Sequence, residues 1–111
     1  MKSRNYEKNL KILEALFGAG SDPNKIHSIE HHYYCNTEKD YEMLMELGRI
    51  AGYEIKHEGF TESEDGNFWQ MDLVKPIKPS IEAIEIQSLE MERFAQQTNS
   101  EYDGWGTEVE V

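Results

Sequence analysis

The chain has little of what would tie it to an oxidising compartment, a membrane or a nucleic acid. It has one cysteine, Cys35, so it cannot close an intramolecular disulfide, and a reducing cytoplasm is the expected setting. No apolar run approaches the roughly 20 residues that span a bilayer. The polar start Met1-Lys2-Ser3-Arg4-Asn5 leads into an amphipathic pattern and not into an apolar leader. Basic residues are scarce: 11 Lys and Arg face 22 Asp and Glu, a formal net charge of −11. Phosphate backbones and anionic headgroups are held mainly by Lys and Arg, so direct nucleic-acid or membrane binding is disfavoured. Low-complexity tracts, internal repeats and linkers are also missing, which predicts one domain over residues 1–111.

What is present is acid. A basic protein surface is the partner that long-range attraction to such a chain favours.

Hydrophobic spacing orders the elements. Tyr6, Leu10, Leu13 and Phe17 recur at helical intervals and predict a first helix over Asn5–Phe17, stopped by Gly18 and Gly20. Ile26–Cys35 reads as a strand. Thr37 offers an N-cap, with Asp40 in the reciprocal position, for a helix reaching Ala51. Tyr53–Phe60 and Asn67–Val74 flank an Asp65-Gly66 turn and predict a hairpin. Pro76 and Pro79 punctuate its exit, and Ser80 caps a helix to about Gln97. Gly104–Val111 alternates as a closing strand. A helix followed by β-α-β-β-α-β predicts an α+β, ferredoxin-like sandwich with an extra N-terminal helix and a four-stranded sheet whose first and third strands are central.

Strict alternation then sorts the strand residues by face. Ile29, His31, Tyr33, Tyr53, Ile55, His57, Trp69, Met71 and Leu73 fall on the helix-covered side. Glu30, His32, Tyr34, Glu54, Lys56, Glu58, Phe68, Gln70, Asp72, Glu108 and Glu110 fall on the other. Carboxylates dominate that second face, which is unlike the aromatic and basic sheets that bind RNA. From it Glu30, His32, Glu54, Glu58, Asp72, Glu108 and Glu110 are the candidate partner-binding residues, with the acidic last helix (Glu82, Glu85, Glu90, Glu92) as an alternative surface. Glu30 and Asp72 with His32 nearby resemble an acid–base cluster, but an exposed sheet face gives little of the dry concavity that shifts pKa values. His31 and His32, adjacent in a strand, cannot clamp one ion together; His27 shares a face with His31, and Cys35 is their only soft companion. No catalytic residue, metal or cofactor is expected. His31 is expected as a hydrogen-bonded core imidazole and His32 as a surface one.

Four words stand in order along the chain: Gly20-Ser21-Asp22-Pro23, Ile29-Glu30-His31-His32, Glu64-Asp65-Gly66 and Tyr102-Asp103-Gly104-Trp105-Gly106-Thr107. The last, combined with the histidine pair, is specific. In this order and spacing the chain resembles the bacterial regulator of ribonuclease E activity B (RraB) family from its first helix to Thr107. The resemblance implies a ferredoxin-like domain that binds the endoribonuclease RNase E, at its non-catalytic scaffold half, and restrains RNA cleavage by protein contact. It implies no catalytic residue and no cofactor, and arginine-rich segments of that scaffold suit an acidic partner. The best-studied members continue into a strongly acidic tail, whereas this sequence stops at Val111, and after Thr107 it has Glu108-Val109-Glu110-Val111, without the aromatic often found there. The alternative consistent with the same acidity is an immunity-type protein that neutralises another basic protein, such as a nuclease toxin.

Overall fold

Residues 2–111 are described by the structure, a computed structural model, and run α1 (Tyr6–Gly18), β1 (His27–Cys35), α2 (Glu38–Ile50), β2 (Glu54–Ser63), β3 (Gly66–Ile77), α3 (Ile81–Thr98) and β4 (Glu101–Gly106). The sheet order is β2-β3-β1-β4, with every neighbouring pair antiparallel. This is the ferredoxin-like order with one added helix at the front.

The helix starts follow from local chemistry. Thr37 and Ser80 sit in extended backbone and accept the N–H of Asp40 and Ala83, each at 3.1 Å, satisfying donors that the first turn leaves free.

All three helices lie on one side of the sheet. Leu44 of α2 and Met91 and Phe94 of α3 pack with Tyr33, Cys35, Met71 and Leu73. Leu13 and Leu16 of α1 join Ile84 of α3 against Ile29 and Trp105, so α1 covers the β4 side of that same layer. The opposite sheet face carries no helix among the described residues. Gly48 lets α2 approach β3: a Cβ there would lie 2.6 Å from a methyl of the fully buried Leu73.

Strand boundaries shift from the sequence reading, most of all in β3 and β4. β3 continues past Pro76, which pairs with Ser28 of β1. β2 begins only at Glu54, opposite Val74, so Pro76 has an open side where its missing N–H costs no ladder bond. β4 covers Glu101–Gly106 and not Gly104–Val111. The Glu108–Val111 alternation is real but finds no strand to pair with: Glu110 N–H donates to Ser21 Oγ at 2.9 Å, and Asp22 N–H donates to Glu110 O at 2.7 Å.

Both outer strands are bulged. On β2, Lys56 pairs with Asp72 and Gly59 with Gln70, so His57 and Glu58 together oppose Met71. On β4, Trp105 pairs with His31 and Tyr102 with Tyr33, so Asp103 and Gly104 together oppose His32. Gly104 has φ +84, the left-handed region that suits glycine.

Candidate functional site

The closing motif works from the bulge inward. Without an extra residue, positions 102 and 105 would point to opposite faces; with it, both side chains enter the helix-covered layer. Trp105 Nε1–H donates to Asn9 Oδ1 of α1 at 2.8 Å. The Asn9 amide in turn donates to Glu85 Oε2 at 2.8 Å and Ser88 Oγ at 2.9 Å, both on α3. Ser3 closes this network with its N–H and hydroxyl on the two Glu85 oxygens, at 2.8 and 2.6 Å. Burial alone would raise the Glu85 pKa, but the hydrogen bonds from Ser3 and Asn9 outweigh it and hold the carboxyl below its ordinary range. Glu85 is therefore a buried structural anion, which removes it from the acidic helix surface expected from sequence.

His31 is fully buried, as its face assignment requires. Gln87 Oε1 can only accept, so His31 Nε2 carries the proton at 2.7 Å from it, and Tyr102 donates its hydroxyl to Nδ1 at 2.7 Å. Burial drives the His31 pKa down from 6.5 to about 4, with the nearby His32 pushing the same way and the Gln87 bond resisting. Burial also raises the Tyr102 hydroxyl pKa, keeping it a neutral donor. His27 is held by Ser21 Oγ and the Lys25 carbonyl, and Cys35 by Ser100 Oγ. Burial raises the Cys35 thiol pKa, so it is a core sulfhydryl and not a ready ligand. The four groups weighed for metal or core roles in β1 are thus separated: three sit in the core, each with its own partners, and His32 lies on the open face.

On the open face the structure builds a cluster. Asp72, in the central strand β3, is 9% exposed. His32 Nδ1 lies 2.7 Å from Asp72 Oδ1 and His57 Nδ1 lies 2.6 Å from Asp72 Oδ2. Glu30 Oε2 is 3.5 Å from His57 Nδ1. His57 was expected on the helix side and Glu58 on the open side; the bulge exchanges them. With φ +53, His57 turns over Asp72, while Glu58 accepts from the Tyr41 hydroxyl of α2 at 3.3 Å. Burial, with the Glu58 charge adding to it, pushes the Tyr41 pKa up to about 12.

The other candidates fall around this cluster. Glu54 shares a row with Val74 and Glu30, and Lys56 sits 3.9 Å from the Glu54 carboxylate, so the face is not uniformly acidic. Glu108 and Glu110 are not strand residues, yet they come to the same face, where they line a hollow of about 200 Å³ with Glu30, Lys56 and Thr107. A second hollow of about 180 Å³ is bounded by His32, Tyr34, His57, Gln70 and Asp72. Both are smaller than the roughly 300 Å³ at which small-molecule sites begin. A face with these dimensions fits a macromolecular surface or an ion better than an organic ligand.

Among the described residues, no helix is long and apolar enough to cross a membrane. A family profile described as "Regulator of ribonuclease activity B" matches residues 6–107. The chain is 30% identical over 97 residues to a regulator of ribonuclease activity B from Pseudoalteromonas translucida, covering 86% of this chain and 87% of that one. It is 32% identical over 105 residues to the protein of the same name from Pantoea ananatis (94% of this chain, 75% of the relative). The Escherichia coli K12 protein of that name is 30% identical over 105 residues (94% and 76%). With the helix-plus-βαββαβ fold and a profile match that spans every element, the chain belongs to the regulator of ribonuclease activity B family.

Proposed function

We propose that this protein is a non-enzymatic, single-domain cytoplasmic regulator that binds a ribonuclease, RNase E, and restrains its cleavage of RNA by protein contact. The observation that carries this reading is the helix-free sheet face of a family member whose net charge is −11. Glu30, Glu54, Asp72, Glu108 and Glu110 gather there, with His32 and His57 among them. A basic segment of the nuclease's scaffold region is the partner such a face attracts, because opposite potentials speed encounter and fix orientation. RNA itself would be repelled. Glu58 belongs to this docking set only at its margin, since it leans toward α2.

The test is co-purification with RNase E from a host lysate at low and high salt, followed by cleavage assays with the recovered nuclease. Retention at low salt, release as salt rises and slower cleavage when the protein is added are the expected outcomes. Failure to retain RNase E at low salt, although it is present in the lysate, refutes the proposal.

A further inference from the structure

The cluster at Asp72 has a donor set that charge complementarity alone does not require. Glu30, His57 and Asp72 each offer one ligand atom, and the three atoms lie within 4.8 Å of one another. Ligand atoms around a tetrahedral zinc ion stand about 3.3 Å apart. The Glu30–His57 separation, 3.5 Å, already matches, and the 2.6 Å His57–Asp72 contact needs to open by about 0.7 Å, within reach of side-chain rotation. One imidazole nitrogen with two carboxylate oxygens suits Zn²⁺ and similar borderline divalent ions better than Mg²⁺ or Ca²⁺, which prefer oxygen throughout.

Three further observations converge on the same atoms. The His57 backbone is left-handed at φ +53, a conformation that costs a non-glycine residue on the order of 1 kcal/mol. A regular strand would avoid that cost and point His57 at α2. The free oxygen of Asp72 is fixed by His32 at 2.7 Å, the arrangement by which an outer imidazole orients a ligating carboxylate. Among the described residues, neither Glu30 nor Asp72 forms an ion pair with a Lys or Arg, and the nearby Lys56 turns to Glu54 instead.

We propose that the open sheet face is a binding site for a divalent ion of the zinc type, with Glu30, His57 and Asp72 as ligands and His32 as the positioning residue for Asp72. The ion takes the His57 tautomer that carries its proton on Nε2, so the Nδ1 lone pair faces the ion. Three protein ligands leave a tetrahedral ion one position toward solvent, open to water or to a side chain of a docked protein. This inference stands without the ribonuclease proposal, because it is read on the isolated protein.

The experiment is calorimetric titration of the untagged, metal-stripped 111-residue chain with zinc chloride, beside His57→Ala, Glu30→Gln, His32→Ala and a hairpin control, Glu64→Gln. One zinc per chain with micromolar affinity is expected. His57→Ala and Glu30→Gln should weaken it at least about tenfold, His32→Ala by a smaller factor, and Glu64→Gln not at all. Circular dichroism of the metal-free variants should match the parent, since His57 is exposed and Glu30 is only half-buried. In histidine NMR spectra, zinc should shift the ring signals of His57 and leave those of His31 in place. No binding up to millimolar zinc, or an affinity unchanged in both His57→Ala and Glu30→Gln, overturns the proposal.

Discussion

Trp105 and Asn9 are 96 positions apart in the chain and share a 2.8 Å hydrogen bond, indole N–H to amide oxygen, inside the protein. Through that one bond the closing strand holds the first helix, and through the amide's other end the first helix holds α3. Asn9→Ala would leave the Trp105 N–H without a partner and remove one donor from buried Glu85. A loss of about 2–3 kcal/mol in unfolding free energy is expected, read as a lower urea midpoint at an unchanged slope. A midpoint within error of the parent would show that water replaces the amide at no cost.

His31 makes stability depend on pH in a defined window. Its folded pKa, about 4, lies below its unfolded value of 6.5, so between those values the unfolded chain binds a proton that the folded chain refuses. The His31 contribution is therefore fully present above pH 6.5, falls as the pH drops through the window and levels off below it. The full loss is roughly 3 kcal/mol at 1.36 kcal/mol per pH unit. Urea titrations at pH 7.5 and 5.0 should differ in this direction, and the His31 ring should keep its neutral NMR shift at pH 5.5. An ordinary titration near 6.5 would contradict the buried, doubly bonded imidazole.

Three glycines should separate by mechanism. Gly104→Ala meets open space but keeps a φ of +84, so strain alone should cost about 1–2 kcal/mol. Gly48→Ala drives a methyl to 2.6 Å from Leu73 and should cost about 1–3 kcal/mol through overpacking. Gly59→Ala meets open space with no positive φ and should be neutral or slightly stabilising. Thermal melts of the three proteins give the ranking.

Charge reversal can locate the proposed dock. Glu108→Lys with Glu110→Lys alters the hollow beside Glu30, whereas Glu62→Lys with Glu64→Lys alters the distant β2–β3 hairpin by the same formal charge. The first pair should weaken retention of the nuclease at least about tenfold at low salt, and the second should change it far less. Equal losses from both pairs would mean that net charge, and not this face, governs binding.

Much of the architecture was legible because each element carries its own signal. The threonine and serine caps, the Asp-Gly turn and the 3.6-residue stripes are local, and the order they spell determines the sheet. The two-residue rule for faces succeeded wherever the strand is regular, as at Ile29, His31, Tyr33, Met71 and Leu73. It failed at His57 and Glu58, because a bulge adds a residue without a residue type that announces it; nothing in Lys56-His57-Glu58 marks a left-handed position. Gly104 does carry such a mark, since glycine suits a left-handed bulge position, but nothing beside it announces that Tyr102 and Trp105 consequently face the same way. The closing tail was misread for another reason: alternation supplies a strand pattern, but pairing requires a neighbour, and Glu110 bonds to the α1–β1 loop instead.

The two bulges also bear on how this sheet can be approached. Free backbone groups along an outer strand invite another chain to add itself, and both outer strands here, β2 and β4, are interrupted. An incoming strand would lose register at Asp103-Gly104 on one side and at His57-Glu58 on the other. Stacking through the edges is thus discouraged on both flanks, and the broad face between them is left as the approachable side of the sheet.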